Sequence, residues 1–384
     1  MSNPNFSQSR RSFLKFTGAA AASLAVMNFA APAFAANAKI KQLKLSEIPH
    51  DNIAIAKNSE LVQNAYQYLL KQIDSLKSAD LKAKVKSFYD NTVPTFMENF
   101  QSKAAVSKVY AELKAEGLID PAKTPEDQLF PKLSSLTSGP QPFFSAPGSG
   151  YGSHHPYPGG LCTHTAANME ITQGIIATYR DIMGYDADYD AAIAGELLHD
   201  LAKPWVFQWN ADGSSFKEYT IAGTGAHHIF SVAESIYRGM PANEIVAQAC
   251  AHNHPGSDAD EAQVVGWIKA ASILAGADPV ARDLLTSDRK HLPQILGQEG
   301  FIVHLGDHDW VLSSPAAKIS VNLIAEVAKK EFGFSDADLK GARFNYLRNY
   351  IGAQYSYMRF HHAVQHGSGD AYKNALSVVR AVIA

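Results

Sequence analysis

The chain has 384 residues, 46% of them hydrophobic, with a formal charge of −3 and two cysteines. That length and apolar content suffice for one large domain, or one domain with sizeable additions. The absence of any basic cluster excludes an electrostatic footprint for non-specific nucleic-acid binding; two cysteines are no disulfide framework, so stability must come from an apolar core.

The first residues read as an export signal and not as part of the fold. "SRRSFLK" (Ser9 to Lys15) precedes an Ala-rich apolar run that ends in "AFA" (Ala33 to Ala35), the basic start, short apolar middle and small-residue cleavage site of a secretory signal. Arg10 and Arg11 followed by Phe13, Leu14 and Lys15 resemble the twin-arginine signal. The resemblance implies passage through the twin-arginine translocation machinery and a periplasmic location. The apolar run is short for a membrane span, and no stable membrane anchor is expected. Removing residues 1–35 takes away three cations and no acids, moving the formal charge from −3 to about −6.

From Leu43 to about Leu118 the pattern is helical. "SELVQNAYQYLLKQIDSL" repeats apolar residues at three- and four-residue intervals, and "SKAAVSKVYAELKAEG" runs into a helix-stopping glycine. Residues 120–160, ending in "TSGPQPFFSAPGSGYGSHHPYPGG", are dense in Gly, Pro and Ser and must be loop, and a loop of that length is often functional. Helices dominate from Leu161 to Ala281. "WVFQWNADGSSFKEYTI" interrupts them with two aromatic, β-branched runs around Asp212-Gly213, which predicts a β-hairpin. The tail from Ala316 onward is helical again, its aromatic stripe in "GARFNYLRNYIGAQYSYMRFHHAV" covering the core. The expectation is an all-α protein with one small hairpin.

Fifteen histidines are many for this length, and most lie between 154 and 308. "PYPGGLCTHTAANMEI" sets His164 in the first turns of a helix that follows a Gly-Gly turn. "GELLHDLAK" supplies His199 and Asp200, "GAHHIFSVAESIYRGMP" His227 and His228, and "IVAQACAHNHPG" His252 and His254. "WIKAASILAGADPVAR" closes a helix with Asp278. Each helix brings one or two nitrogen or oxygen donors, with apolar residues at helical spacing to bury them, and a bundle can converge such donors on one point. Neutral imidazole with carboxylate suits a first-row divalent transition metal: Fe, Mn, Co, Ni or Zn. Lys203 lies four residues after His199 and three after Asp200, on the same face, within reach of a bound anion.

The order His, His-Asp, His, His, Asp resembles the HD-domain superfamily of metal-dependent phosphohydrolases, over residues 157–281. The resemblance implies an all-α HD-domain bundle over 151–285; before it lie a helical N-terminal extension and the Gly/Pro-rich loop over 40–150, and after it a helical C-terminal extension over 286–384. It further implies that His164, His199, Asp200 and Asp278 hold one metal. Asp200 would bridge to a second, held by His227 or His228 and by His252 or His254. The implied reaction is hydrolysis of a small anionic phosphoester or nucleotide, with Asp200 and Lys203 in the catalytic centre. The alternatives are an HD-type di-iron oxygenase acting on a small organic substrate and a degenerate HD fold used for binding.

Glu196 departs from the family's pattern, which has a small residue there. It is read as an acceptor behind a ligand histidine, an extra ligand, or a surface residue. His154 and His155 are either solvated loop histidines or a lid over substrate. His304, Asp307 and His308 in "HLGDHDW" lie outside the matched stretch and are expected in a surface loop. Cys162 and Cys250 each precede a candidate ligand by two residues, a rotation of about 200° on a helix, and are expected to pack away from the metals.

Overall fold

The computed structural model describes residues 37–293 and 297–384; the segment expected to be a twin-arginine signal lies outside them. The N-terminal helices are α1 (Asn52–Lys57), α2 (Glu60–Ser75), α3 (Ala79–Asp90) and α4 (Lys103–Ala115). Their starts are set by side-chain caps: Asp51, Ser59, Ser78 and Ser102 each accept from a backbone N–H of the first turn. Residues 116–159 hold only short 3-10 turns, as the Gly/Pro/Ser density requires.

The middle of the chain contributes α5 (Gly160–Met183), α6 (Tyr189–Leu198), the single turn α7 (Lys203–Val206), α8 (Ala226–Tyr237), α9 (Ala242–Ala249) and α10 (Asp258–Ala275). Gly159, with φ 84°, caps α5 in the left-handed region, and a Cβ there would meet Val62 at 2.3 Å. This explains the Gly-Gly pair: only glycine can make the turn so close to α2. Helix α6 is buried on every side from Ala191 to Leu198, as its nearly unbroken apolar sequence demands.

The chain closes with α11 (Glu299–Gly306), α12 (Trp310–Phe332), α13 (Ala342–Tyr355), α14 (Tyr357–His366) and α15 (Ala371–Val382). Helix α11 packs on both α5 and α6. Part of the segment expected as a C-terminal extension therefore lies against the helices that carry His164 and His199.

Two apolar clusters organise the described residues. One gathers Leu69, Val85, Met169, Ile193, Phe230 and Ile268 from α2, α3, α5, α6, α8 and α10. The other gathers Ile324, Leu347, Phe360 and Val379 from α12 to α15, with Ile55, Val62 and Tyr157 from earlier in the chain. No described helix is long and apolar enough to cross a membrane.

The fold is all-α with a small hairpin, which sits later than the Asp212-Gly213 signal. That signal does make a turn, with Asn210 donating to the Ser214 carbonyl and Phe216 to that of Gln208, both at 2.8 Å. Only one bridge, Trp209 to Ser215, forms there, because Trp205 and Val206 belong to α7. The two-stranded antiparallel ladder is Thr220–Ile221 against Thr224–Gly225, immediately before α8.

Candidate metal centre

Five chain segments meet at one buried point. His164 comes from the second turn of α5, and His199 caps the end of α6 with Asp200 next to it. His227 lies in the first turn of α8, and His252 follows α9. Asp307 follows directly on α11.

The donors form two groups. His164 Nε2 lies 3.3 Å from Asp200 Oδ2 and 3.1 Å from Asp307 Oδ1. His199 Nε2 lies 3.1 and 3.4 Å from the same two oxygens. On the other side of the carboxylate, His227 Nε2 is 3.3 Å from Asp200 Oδ1, and His252 Nε2 is 3.7 Å from Asp307 Oδ2. The donor atoms of His164, His199 and Asp307 lie within 4.8 Å of one another, as do those of Asp200, His227 and His252. Asp200 thus turns one oxygen toward each group, the disposition of a bridging carboxylate.

The outward nitrogens are held in place. His164 Nδ1 is 3.2 Å from Asp309 Oδ2, and His199 Nδ1 donates to the Glu196 carbonyl at 2.7 Å. His227 Nδ1 is 2.5 Å from Glu218 Oε1, and His252 Nδ1 is 3.1 Å from Thr224 Oγ1. Fixing Nδ1 in this way orients the ring and leaves Nε2 aimed inward, the arrangement that tunes metal-binding histidines.

The inward atoms fit a cation better than they fit one another. His199 Nε2, both Asp200 oxygens and His227 Nε2 are buried and crowded together, His199 Nε2 3.1 Å from Asp200 Oδ2 and His227 Nε2 3.3 Å from Asp200 Oδ1. Buried carboxylates need positive charge beside them, and a divalent ion at each group would supply it. The titration behaviour agrees. Burial raises the carboxyls of Asp200 and Asp307, but the His199 charge and histidine hydrogen bonds outweigh it and hold both well below the usual range, with Lys203 adding to the effect on Asp200. Burial and the Lys203 charge lower His164, yet its hydrogen bonds to Asp200, Asp307 and Asp309 lift it to about 10. Two buried carboxylates thus call for positive charge at the centre, which protons supply when metal does not.

Lys203 is buried, its Nζ against Asp200 Oδ2 and donating to the Gly148 carbonyl. A cavity of about 370 Å³ opens beside the centre, lined by Lys203, His227, His252 and Asp307 at one end and by His154, His308 and Trp310 elsewhere.

Several expectations are corrected by this geometry. Asp278 does not join the donors: it is half-exposed and pairs with Arg289 at 3.2 Å. Its place is taken by Asp307, expected in a surface loop but buried. Gly306 makes this possible, because its missing side chain lets the end of α11 approach α5 and α6; a Cβ there would stand 2.0 Å from Thr172 Oγ1 and 2.5 Å from Glu196 Oε2. Between the two open pairs, the geometry selects His227 and His252. His228 Nε2 faces the Ala249 carbonyl at 3.1 Å, and burial pushes its pKa down to about 3. The His254 ring lies tilted beside those of His304 and Phe301, outside both groups.

Glu196 is neither on the surface nor among the donor groups. Its carboxylate accepts from Thr172 at 2.9 Å and lies 3.4 Å from His199 Nδ1, and burial lifts its pKa to about 7. His154 and His155 are not solvated either. His155 is buried with φ 42°, tied by Nε2 to Asp309 at 2.6 Å and by Nδ1 to the Tyr157 hydroxyl at 3.0 Å. The His154 ring lies 4.8 Å from that of His164. Glu218 carried no sequence signal, and Asp309 lies in "HLGDHDW", the segment expected in a surface loop. Cys162 and Cys250 are buried free thiols.

No family model matches the chain, and no solved structure matches it. Over 99 residues it is 33% identical to the dihydroneopterin 2',3'-cyclic phosphate phosphodiesterase of Methanocaldococcus jannaschii. The match takes in 26% of this chain and 39% of that protein, so this chain spans well under half the length of the relative. A phosphodiesterase is thus a partial, distant relative of a chain whose described residues include His/Asp groups able to hold metal ions.

Proposed function

We propose that the protein is a metal-dependent phosphohydrolase of the HD type with two divalent ions bridged by Asp200. The observation that carries this reading is the convergence of buried His nitrogens on both oxygens of that one carboxylate. His164, His199, Asp200 and Asp307 would hold one ion; Asp200, His227 and His252 would hold the other. Bound there, the ions would supply Lewis acidity and make water a nucleophile at neutral pH.

The chain's own residues do the rest. Asp200 and Asp307 present fixed negative charge that positions the cations. Asp309, Glu218 and Thr224 keep the histidine rings aimed inward. The Lys203 ammonium, buried at the cavity end, donates to a phosphoryl oxygen as charge accumulates on it. Water adds to phosphorus, the ester P–O bond breaks, and the departing oxygen takes a proton. The partial match to a phosphodiesterase supports a phosphoester substrate, and a cyclic phosphodiester is the first to try. The twin-arginine-like sequence from Ser9 to Lys15 supports a periplasmic site for this activity, reached through the twin-arginine machinery.

The test is an anaerobic assay of the Mn-loaded protein against a panel of phosphomonoesters and 2',3'- and 3',5'-cyclic nucleotides. Hydrolysis of at least one, abolished by chelator and by Asp200→Ala, is expected. No hydrolysis across the panel, together with oxygen consumption by iron-loaded protein, would overturn the reading in favour of an oxygenase.

A further inference from the structure

The stretch "GSGYGSHH" (Gly148 to His155) reaches the candidate centre through its backbone. Its two ends are tied together, the Gly148 N–H donating to the His155 carbonyl at 2.9 Å. The Gly148 carbonyl accepts from the buried Lys203 ammonium, and His154 reaches the cavity beside the donors. Where this loop sits therefore decides where the ammonium points.

The sequence of the loop does little to hold it there. Gly148 is needed for space, since a Cβ would stand 2.7 Å from His155 Cβ. Gly150 and Gly152 are not: a Cβ at the first would make ordinary contact with Phe207 at 3.5 Å, and one at the second would meet nothing within 4 Å. Neither has a positive φ. What these two glycines contribute is backbone freedom, which raises the cost of ordering the loop. One turn bond, from the Ser153 N–H to the Gly150 carbonyl at 2.9 Å, does not offset it.

A grip comes from the C-terminal part of the chain. Arg348 on α13 is buried, and its Nη2 donates to the Tyr151 carbonyl at 2.7 Å and to the Pro156 carbonyl at 3.4 Å. It thus grips the loop at its middle and just beyond its end. The guanidinium carbon also lies 3.9 Å from the Tyr151 ring centroid, a cation–π contact. The Tyr151 hydroxyl donates to Asn345 Oδ1, one helical turn before Arg348 on the same face. A buried guanidinium is tolerated only when hydrogen-bonded, and these bonds are spent on the loop. Helix α13 is firm enough to bear the load, because Leu347 and Ile351 lie in the second apolar cluster.

We propose that Arg348 and Tyr151 are positioning residues of the candidate centre. By gripping the 148–155 loop they keep the Gly148 carbonyl on Lys203 and so aim its ammonium. The hold on the loop stands on its own; the use of that ammonium at a phosphoryl oxygen rests on the phosphohydrolase reading. The C-terminal helices thereby take part in the site from 197 residues away in the chain, without touching the donors.

The test is the rate at which Lys203 is acylated by an N-hydroxysuccinimide ester in the Mn-loaded protein, read by mass spectrometry. Tyr151 is 36% exposed, so Tyr151→Ala opens no core cavity. It removes a cation–π contact and a hydrogen bond, together worth roughly five- to fiftyfold in the population of released loop. Lys203 is expected to label about fivefold faster or more in Tyr151→Ala and in Arg348→Met, and near the wild-type rate in Tyr151→Phe, which keeps the ring on Arg348. Metal content and melting temperature should stay unchanged in both Tyr151 variants. On any phosphoester that the wild type hydrolyses, kcat should fall severalfold in Tyr151→Ala with KM little changed. Where the wild type hydrolyses nothing, the phosphohydrolase reading fails and the labelling alone decides the hold. Wild-type labelling in Tyr151→Ala, or faster labelling only alongside a lower melting temperature, would overturn the proposal. Equal acceleration in Tyr151→Phe would shift the hold from Arg348 to Asn345, and faster labelling with unchanged kcat would sever the loop from the reaction; either overturns it.

Discussion

Replacing Asp307 by Asn tests the geometry at its least expected point. The carboxylate Oδ1 stands 3.1 Å from His164 Nε2 and 3.4 Å from His199 Nε2, and Asn168 Nδ2 donates to it at 3.1 Å. The amide keeps the shape and removes the charge from one of four donors in the first group. Losing a partner behind a ligand costs roughly 10–100-fold in metal affinity, so losing a charged donor itself should cost about 100-fold or more, or about 2.8 kcal/mol. Asp278→Asn is the matched control. Its ion pair with Arg289 is half-exposed on both sides, and such pairs contribute ~0–1 kcal/mol to stability with no route to the centre. Calorimetric titration with Mn or Zn, with circular dichroism confirming retained helix, reads both. Loss in Asp307→Asn with wild-type affinity in Asp278→Asn is expected. The reverse pattern would refute the placement of Asp307 among the donors.

Further outcomes follow from the same geometry. Lys203→Met should retain its metal but lose roughly 10²–10³ in kcat on a phosphoester, the scale for removing a donor to developing negative charge; unchanged kcat would remove the lysine from the chemistry. Gly306→Ala forces a Cβ against the buried Thr172 and Glu196 and should destabilise by about 1–3 kcal/mol in denaturant melts. Gly174→Ala on α5, with nothing within 4 Å, should be neutral or stabilise by about 0.5–1 kcal/mol. Metal binding should release protons, because the metal-free His164 is lifted to about 10 and His199 well above its ordinary value. Both hold protons at pH 7 that a metal must displace, so affinity should rise with pH; binding heats that do not vary with the ionisation enthalpy of the buffer would contradict this.

Legibility in the sequence followed the range of the physics involved. Helix starts are local, so the Gly-Gly entry to α5 and the long loop before it could be read directly. The His-Asp pair and its lysine were legible because all three fall within five residues, between the end of α6 and the start of α7. Asp307 was not, because its position depends on α11 returning across α5 and α6, which no local pattern records. Asp278 offered the expected residue type at the expected place in the chain, but it stands beyond the Gly276 cap of α10 and faces solvent. The choice of His227 over His228 turns on the rotational phase of α8, since neighbours point about 100° apart and only packing against Ala249 sets which one faces inward. The hairpin shifted for a similar reason: aromatic residues that read as strand were needed as core, with Trp205 packed at 4.8 Å against Phe230.

Anomalous diffraction from crystals of the Mn-loaded protein addresses the central claim most directly. Two peaks roughly 3.5–4 Å apart are expected, one bound by His164, His199, Asp200 and Asp307 and the other by Asp200, His227 and His252. A single peak, or two peaks that do not share Asp200, would contradict the account.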